Sequence, residues 1–315
     1  MRAMILAAGL GTRLRPLTDK RPKCLMPVMN RPLLGLWLER LAAWGVERAV
    51  VNTHHLAPMV TAWLERRAGK APGVVVSHEP VILGTGGGLV AARQALGEEP
   101  FLLVNSDLVA TARVPALLEH LKAQEAVAVL GLVDEPRFGN TVGLDHAGRV
   151  LGFKHQEGLD APRWLTYTGL AAIHPRLLDY LPPTGYSTLV DGLLAAIAAG
   201  EPVQGEPLEG FWDNLGTPED LLRMHRTLVS GPPAELKELA PRGPLVLAPG
   251  ARIQAGAEVE GFAVLGDGAV VEAGAGVQDV VLLPNARVEP GARVSRAVLG
   301  DGFAASGRIE GGAYA

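Results

Sequence analysis

An apolar run from Met4 to Ala8 stops at Gly9-Leu10-Gly11, which predicts a buried strand entering a tight loop. Downstream, Leu33, Trp37, Leu41 and Trp44 recur at helical spacing, so a helix is expected over Pro32–Trp44 with Gly45 placed to end it. Strand signals follow at Ala49–Asn52, Gly73–Ser77, Phe101–Asn105 and Ala126–Val133. Helix signals alternate with them at Ala57–Arg67, Leu89–Leu96 and Pro115–Gln124. Such alternation predicts an α/β fold with a mostly parallel sheet flanked by helices and ligands at the strand C-termini. Both the Gly9–Lys23 stretch and Asp107 fall at such ends. Residues 134–168 are less regular, an excursion from the sheet. Leu189–Ala199 and Pro218–Leu228 again carry helical patterns, with Thr217 as an N-cap.

From Gly243 the pattern changes. Leu247, Ile253, Val259, Leu265, Val271 and Val277 recur every six residues, and Ala stands at 251, 257, 263, 269 and 275. The phase slips near Leu282 and resumes at Val288 and Val294. A period of six fits neither an amphipathic helix nor a hairpin. It resembles the hexapeptide repeat of left-handed parallel β-helices, in which an aliphatic residue fills each corner of a triangular prism. The organisation expected is therefore residues 1–230, a Gly/Pro-rich linker at 231–243, and a repeat domain at 244–315.

Composition narrows the classes. The 315 residues carry a net charge of −4, which gives no general nucleic-acid or anionic-membrane surface. Cys24 is the single cysteine, so no disulfide framework or Cys-based zinc site exists, and a cytoplasmic location is expected. No apolar stretch reaches spanning length. All eight histidines lie at or before His225, so the repeat segment lacks the His general base of hexapeptide acyltransferases. His54 and His55 have no visible carboxylate partner and read as structural, or at most as a hydrogen bond to the substrate pocket.

The candidate chemistry is concentrated in the first loop, Leu6-Ala7-Ala8-Gly9-Leu10-Gly11-Thr12-Arg13-Leu14-Arg15-Pro16-Leu17-Thr18, with Arg21-Pro22-Lys23 behind it. Glycines let backbone N–H groups approach an anion, and Arg13 and Lys23 add fixed positive charge. No Lys follows the glycines, which excludes a Walker A loop. Leu14 stands where a dinucleotide fingerprint needs its third glycine. The stretch resembles the signature of the sugar-1-phosphate nucleotidylyltransferases, L-x-x-G-x-G-T-R-L-x-P-L-T followed by Pro-Lys.

That resemblance implies a Rossmann-like catalytic domain, with Leu6, Ala8, Gly9, Gly11, Thr12 and Arg13 at the nucleotide and Arg13, Lys23 and Asp107 in catalysis. Leu83-Gly84-Thr85-Gly86 is similar to the family's second nucleotide loop, so Gly84 and Thr85 are expected near the base. Ile82 replaces the Gln common in readers of uracil or thymine. Asn105-Ser106-Asp107 resembles its N-G-D motif, with Asn105 at the nucleotide and Asp107 on Mg²⁺. Trp212-Asp213-Asn214-Leu215-Gly216-Thr217-Pro218-Glu219 resembles W-x-D-x-G-T-P-E, so either Asn214 or Asp213 is the second metal ligand. On the sugar side, Gly139, Thr168 and Gly169 match family contact positions. Phe153-Lys154-His155-Gln156 departs from F-x-E-K, and its contacts do not transfer.

The implied reaction joins an NTP and a sugar-1-phosphate into an NDP-sugar and pyrophosphate, with Mg²⁺ as cofactor. GTP with a mannose- or heptose-1-phosphate is the expected pair. A uridylyl- or thymidylyltransferase acting on glucose-, N-acetylglucosamine- or N-acetylmuramate-1-phosphate is the alternative. A non-catalytic sugar-nucleotide-binding subunit is the rival of another class. The family's repeat modules further imply a homo-oligomer.

Overall fold

The first strand forms because Ala3, Met4 and Ile5 are inaccessible to water and pair on both sides. The computed structural model describes residues 1–315. It packs as two compact units, and the division does not follow the chain in a single cut. Met1–Gly9, Trp37–Ser106 and Ala112–Trp212 form the first. Leu10–Leu36, Asp107–Thr111 and Asp213–Ala315 form the second.

The first unit is built on nine strands: β1 (Arg2–Leu6), β2 (Arg48–Thr53), β3 (Gly73–His78), β4 (Phe101–Asn105), β5 (Ala128–Val133), β6 (Val142–Leu144), β7 (Val150–Phe153), β8 (Arg163–Ile173) and β9 (Val203–Pro207). Their order is β7-β6-β8-β4-β1-β2-β3, with β5 joining β8 to β9. β3, β2, β1 and β4 run parallel, as the alternating pattern predicts. β8, by contrast, is antiparallel to β4, β5 and β6. The sheet is therefore mixed rather than mostly parallel. The excursion at 134–168 supplies the antiparallel β6, β7 and the start of β8, whose 11 residues escaped the sequence reading. The core gathers Met4, Val50, Leu89, Phe101, Leu103 and Ile173.

The expected helix at Leu89–Leu96 begins earlier. Helix α1 (Gly84–Ala91) starts inside the glycine run, and a separate short turn covers Arg93–Leu96. Four glycines in one helix oppose helix propensity. Packing overrides it, because a Cβ on Gly86 or Gly87 would lie 2.6 Å from Thr188 O or 2.4 Å from Gly185 O. Gly86 and Gly87 N–H groups both donate to Ser187 O, at 2.9 and 3.2 Å.

In the second unit the repeats form parallel ladders, as the period of six implies. Arg252 pairs with Val270 and Glu258 with Gly276, an offset of 18 residues, or three hexads. The phase slip has a local cause: Glu260 pairs with Gln278, but Ala263 pairs with Val280, so one residue is lost at Asp279. Subsequent pairs such as Val270 with Arg287 are offset by 17. The interior is lined by Leu265, Val271, Val277, Val288 and Val294, with Ala269 and Ala275 between them. The residues read as a linker hold a 3-10 segment, Ala234–Leu239, with Leu236 and Leu239 buried.

Candidate active site

In the second unit, Gly11 adopts a left-handed conformation (φ 64°) and precedes the 3-10 turn Thr12–Leu14. A Cβ there would meet Thr18 Cγ2 at 2.7 Å and Lys23 Cβ at 3.2 Å, so only glycine fits. Thr18, fully buried, donates its hydroxyl to Gly11 O at 2.9 Å and ties the loop to the segment carrying Lys23. Thr12 and Arg13 face solvent.

Lys23 Nζ lies 2.5 Å from Asp107 Oδ2, and their side chains are only 13% and 20% exposed. The other carboxylate oxygen, Asp107 Oδ1, is buried with no hydrogen-bond partner. Asn214 Oδ1 is in the same state. Backbone geometry links the two residues, because Leu215 N–H donates to Asp107 O at 2.8 Å. Arg13 joins this group: an ideal Cβ on Gly216 would stand 3.0 Å from both Arg13 Nη1 and Asn214 Oδ1. Arg13, Lys23, Asp107 and Asn214 are thus gathered in one unit, although they come from three separate stretches of chain. Two orphaned oxygens beside two cations fit a divalent metal completed by phosphate oxygens, since Mg²⁺ takes one or two protein ligands and fills the rest from substrate.

Asp213 is placed differently. It is buried, and Arg223 holds both its oxygens, at 2.8 Å to Oδ1 and 3.0 Å to Oδ2. Arg223 also donates to Asp220 Oδ1 at 2.6 Å. Asp220 in turn closes a capping box with Thr217 at the start of helix α2 (Pro218–Ser230). Burial alone would raise the Asp220 pKa, but hydrogen bonds from Arg223 and Thr217 outweigh it and hold the carboxyl below its ordinary range.

His225 fixes the same helix. Its Nδ1–H donates to Leu221 O at 2.8 Å and its Nε2 accepts from Met29 N–H at 3.2 Å, where Met29 sits in a turn at φ 49°. Burial lowers its pKa from 6.5 to about 4. The unfolded chain therefore binds more protons between those values, so stability is complete above pH 6.5 and falls as pH drops toward 4. Thermal melts across this window should reveal a wild-type loss of at most about 3 kcal/mol from this group. His225→Gln, which keeps a donor and an acceptor but does not titrate, should remove that part of the slope. An unchanged slope in the variant would assign it elsewhere.

The first unit holds the remaining predicted residues. Ser106 donates to Leu6 O through its N–H (3.2 Å) and its hydroxyl (2.7 Å), bringing together the ends of β1 and β4 beside Asn105. A buried relay that no local pattern announces runs beside Ala7, Ala8 and Gly9. Ala7 N–H donates to Asn52 Oδ1 (2.7 Å), and Asn52 Nδ2 donates to Glu79 Oε1 (2.7 Å). Glu79 Oε2 accepts from Leu83 N–H at 2.9 Å. Asn52 and Glu79 are 2% and 1% exposed. A Cβ on Gly88 would approach both within 3 Å, which explains that glycine. Gly84 has φ 73°, and Thr85 Oγ1 accepts from Leu189 N–H at 2.7 Å. His54 Nδ1–H donates to Glu79 O at 2.8 Å, the structural placing its sequence context predicts.

On the sugar side, Gly139 takes φ 90° and its carbonyl accepts from Lys154 Nζ at 3.3 Å. Thr168 is turned inward: its hydroxyl donates to Gly131 O at 2.7 Å and its carbonyl accepts from Trp212 Nε1–H at 2.8 Å. Gly169 (φ 82°) forms the bulge that interrupts the β5–β8 register. Tyr167 OH is buried without a partner, and burial raises its pKa. Cys24 is buried too, its thiol pushed up to about 12, which suits packing and not nucleophilic chemistry.

The family model for nucleotidyl transferases matches residues 2–231. The chain belongs to that family. Relatives of this nucleotidyl transferase include the N-acetylmuramate alpha-1-phosphate uridylyltransferase of Caulobacter vibrioides, 37% identical over 235 residues (69% of this chain, 92% of that one). They also include the mannose-1-phosphate guanylyltransferase of Mycobacterium tuberculosis, 30% identical over 301 residues (93% and 83%). Among solved structures, HddC from Yersinia pseudotuberculosis complexed with GMP-PN superposes with a TM-score of 0.60 at 21% identity, covering 72% of this chain and 98% of that one. The likeness to HddC establishes the fold. No helix of the nucleotidyl transferase is long and apolar enough to cross a membrane.

Proposed function

We propose that this nucleotidyl transferase moves a nucleoside monophosphate from an NTP to a sugar-1-phosphate. The observation that carries the reading is the pair of orphaned buried oxygens, Asp107 Oδ1 and Asn214 Oδ1, set beside Lys23 and Arg13. Asn214, not Asp213, is the second ligand in this reading, because Arg223 already occupies both Asp213 oxygens. A divalent cation bound there, Mg²⁺ by the chemistry of two oxygen donors, would act as a Lewis acid toward phosphate oxygens.

The protein's own residues supply alignment and charge. Lys23 grips one oxygen of Asp107 and so fixes the direction of the other. Arg13 and Lys23 offset the charge of two anionic reactants that would otherwise repel. A sugar-phosphate oxygen donates a lone pair to the α-phosphorus. The bond to the β-phosphate oxygen then breaks, and its electron pair leaves with pyrophosphate. The attacking oxygen is already ionised, so no general base is required. Gly84 and Thr85 are assigned to the base, Leu6, Ala8, Gly9, Gly11, Thr12 and Asn105 to the rest of the nucleotide, and Gly139 and Gly169 to the sugar. The Thr168 hydroxyl is spent on Gly131, which leaves that residue a supporting part.

Residues 1–230 are read as the catalytic domain and 244–315 as a left-handed β-helix. The 18-residue coil, three hexads long, supports the latter reading. Homo-oligomerisation and a cytoplasmic location complete the proposal. For substrate, the guanylyltransferase match runs over 93% of this chain, the repeats included, and favours GTP with a mannose-type phosphate. The higher identity of the uridylyltransferase match favours UTP with N-acetylmuramate-1-phosphate. A matrix of four NTPs against a panel of sugar-1-phosphates, read by pyrophosphate release, separates the two. GTP with mannose-1-phosphate should give the highest kcat/KM. Release with UTP and N-acetylmuramate-1-phosphate alone would select the second reading, and ligand binding without release anywhere would remove catalysis.

A further inference from the structure

Lys23 stands on a short segment whose two flanks are both anchored to the C-terminal repeats. Two residues before it, Arg21 forms a two-pronged ion pair with Asp301: its Nε–H donates to Oδ2 at 2.9 Å and its Nη2–H to Oδ1. The Arg21 and Asp301 side chains are 16% and 24% exposed, so solvent screens the pair little. Seven residues beyond Lys23, Asn30 donates its side-chain amide to Leu265 O at 3.0 Å.

The anchor points are rigid. Asp301 occupies a turn in which Gly300 N–H donates to Tyr314 O (2.6 Å) and Gly302 N–H to Pro284 O (3.0 Å), so bonds to the adjoining coils hold it. The helix that follows Asn214 is tied down as well, through Arg226 to Asp279 at 3.3 Å. Between Arg21 and Lys23 lies only Pro22, whose ring fixes φ at −58°. A displacement of Arg21 is therefore transmitted to Lys23, and through its 2.5 Å contact to the Asp107 carboxylate.

We propose that the repeat segment is a working part of the catalytic apparatus, with Arg21 and Asp301 as positioning residues that set Lys23 against Asp107. The inference rests on the assignment of Lys23 and Asp107 to phosphate and metal. Its consequence is that a residue near the C-terminus, in a coil with no chemistry of its own, governs kcat.

The test uses the full-length chain with Asp301→Asn, Asp301→Glu, Arg21→Lys and Lys23→Ala. Asp301→Asn should lower kcat by about tenfold or more, because small misplacements of a catalytic group carry losses of that order. It should also raise the half-saturating Mg²⁺ concentration, with the thermal midpoint within a few degrees of wild type. Asp301→Glu should recover most of kcat. Arg21→Lys, which keeps the charge but loses the fork, should fall between. A structural role alone would lower the thermal midpoint and leave kcat per folded molecule and the Mg²⁺ requirement unchanged. Wild-type kcat and Mg²⁺ dependence in Asp301→Asn, alongside an inactive Lys23→Ala, would overturn the inference. Should Asp301→Asn fail to fold, Arg21→Lys decides by the same two readouts. An active Lys23→Ala would instead overturn the phosphate assignment beneath it.

Discussion

Asp107→Ala is expected to lower kcat for pyrophosphate release by about 10³-fold while the chain stays folded. The loss is large because one side chain serves two purposes. In the proposed role its partnerless Oδ1 faces a metal, and its Oδ2 holds Lys23 at 2.5 Å. The fold survives because Lys23 is the one side chain paired with that carboxylate, and the backbone bond from Leu215 N–H uses Asp107 O, which alanine retains. Asp107→Asn keeps the volume but removes the charge that both Lys23 and a cation require, so it should be nearly as inactive. Steady-state rates with near-ultraviolet circular dichroism on the same samples check both halves. Near-wild-type turnover in either variant would contradict the role given to Asp107.

Glu79→Ala should have the largest effect on stability. Glu79 is inaccessible, and its two oxygens each accept one hydrogen bond, from Asn52 Nδ2 and Leu83 N–H. Truncation leaves both donors unpaired, that of Asn52 fully buried and that of Leu83 partly so, a cost of about 2–4 kcal/mol in total. For a chain of this size that corresponds to a fall in thermal midpoint of roughly 5–10 °C. Glu79→Gln gives no rescue, because its amide group would point a donor at a donor. Since Leu83 leads directly into Gly84 and Thr85, KM for the NTP should rise more than kcat falls. Differential scanning calorimetry and NTP titration measure the two effects. A melting point unchanged in Glu79→Ala would mean that the relay carries no load.

Local pattern makes much of this molecule legible. The period of six translated directly into an 18-residue coil, because three hexads make one circuit. Even the slip near Leu282 has a visible cause in the residue dropped at Asp279. Pattern misled where distant backbone decides. The glycine run at Gly84–Gly88 reads as loop on propensity, yet it forms the first part of a helix because the 185–188 segment leaves no room for side chains. The antiparallel β8 escaped notice because its neighbours in sequence are irregular, while its pairing partners lie tens of residues away.

The site divides along the same line. Arg13, Lys23 and Asp107 are singled out by motif chemistry, and they lie in one unit, with Lys23 on Asp107 and Arg13 beside Asn214. Motif alone leaves Asp213 and Asn214 equal; Asn214 is the proposed ligand because Arg223, a residue with no motif of its own, bonds both oxygens of Asp213. The Asn52–Glu79 relay was likewise hidden, because hydrogen bonds across 27 residues leave no local trace. A glutamate directly after a strand and shortly before a glycine run was the one available signal.

On this reading Asp107 and Asn214 together hold one divalent ion for phosphoryl chemistry. Titration of Mn²⁺ into the full chain in the presence of NTP, followed by electron paramagnetic resonance, tests it most directly. Wild type should take up one ion, and Asp107→Ala and Asn214→Ala should each weaken its binding by about 10-fold or more. Full Mn²⁺ affinity in both variants would place the ion elsewhere.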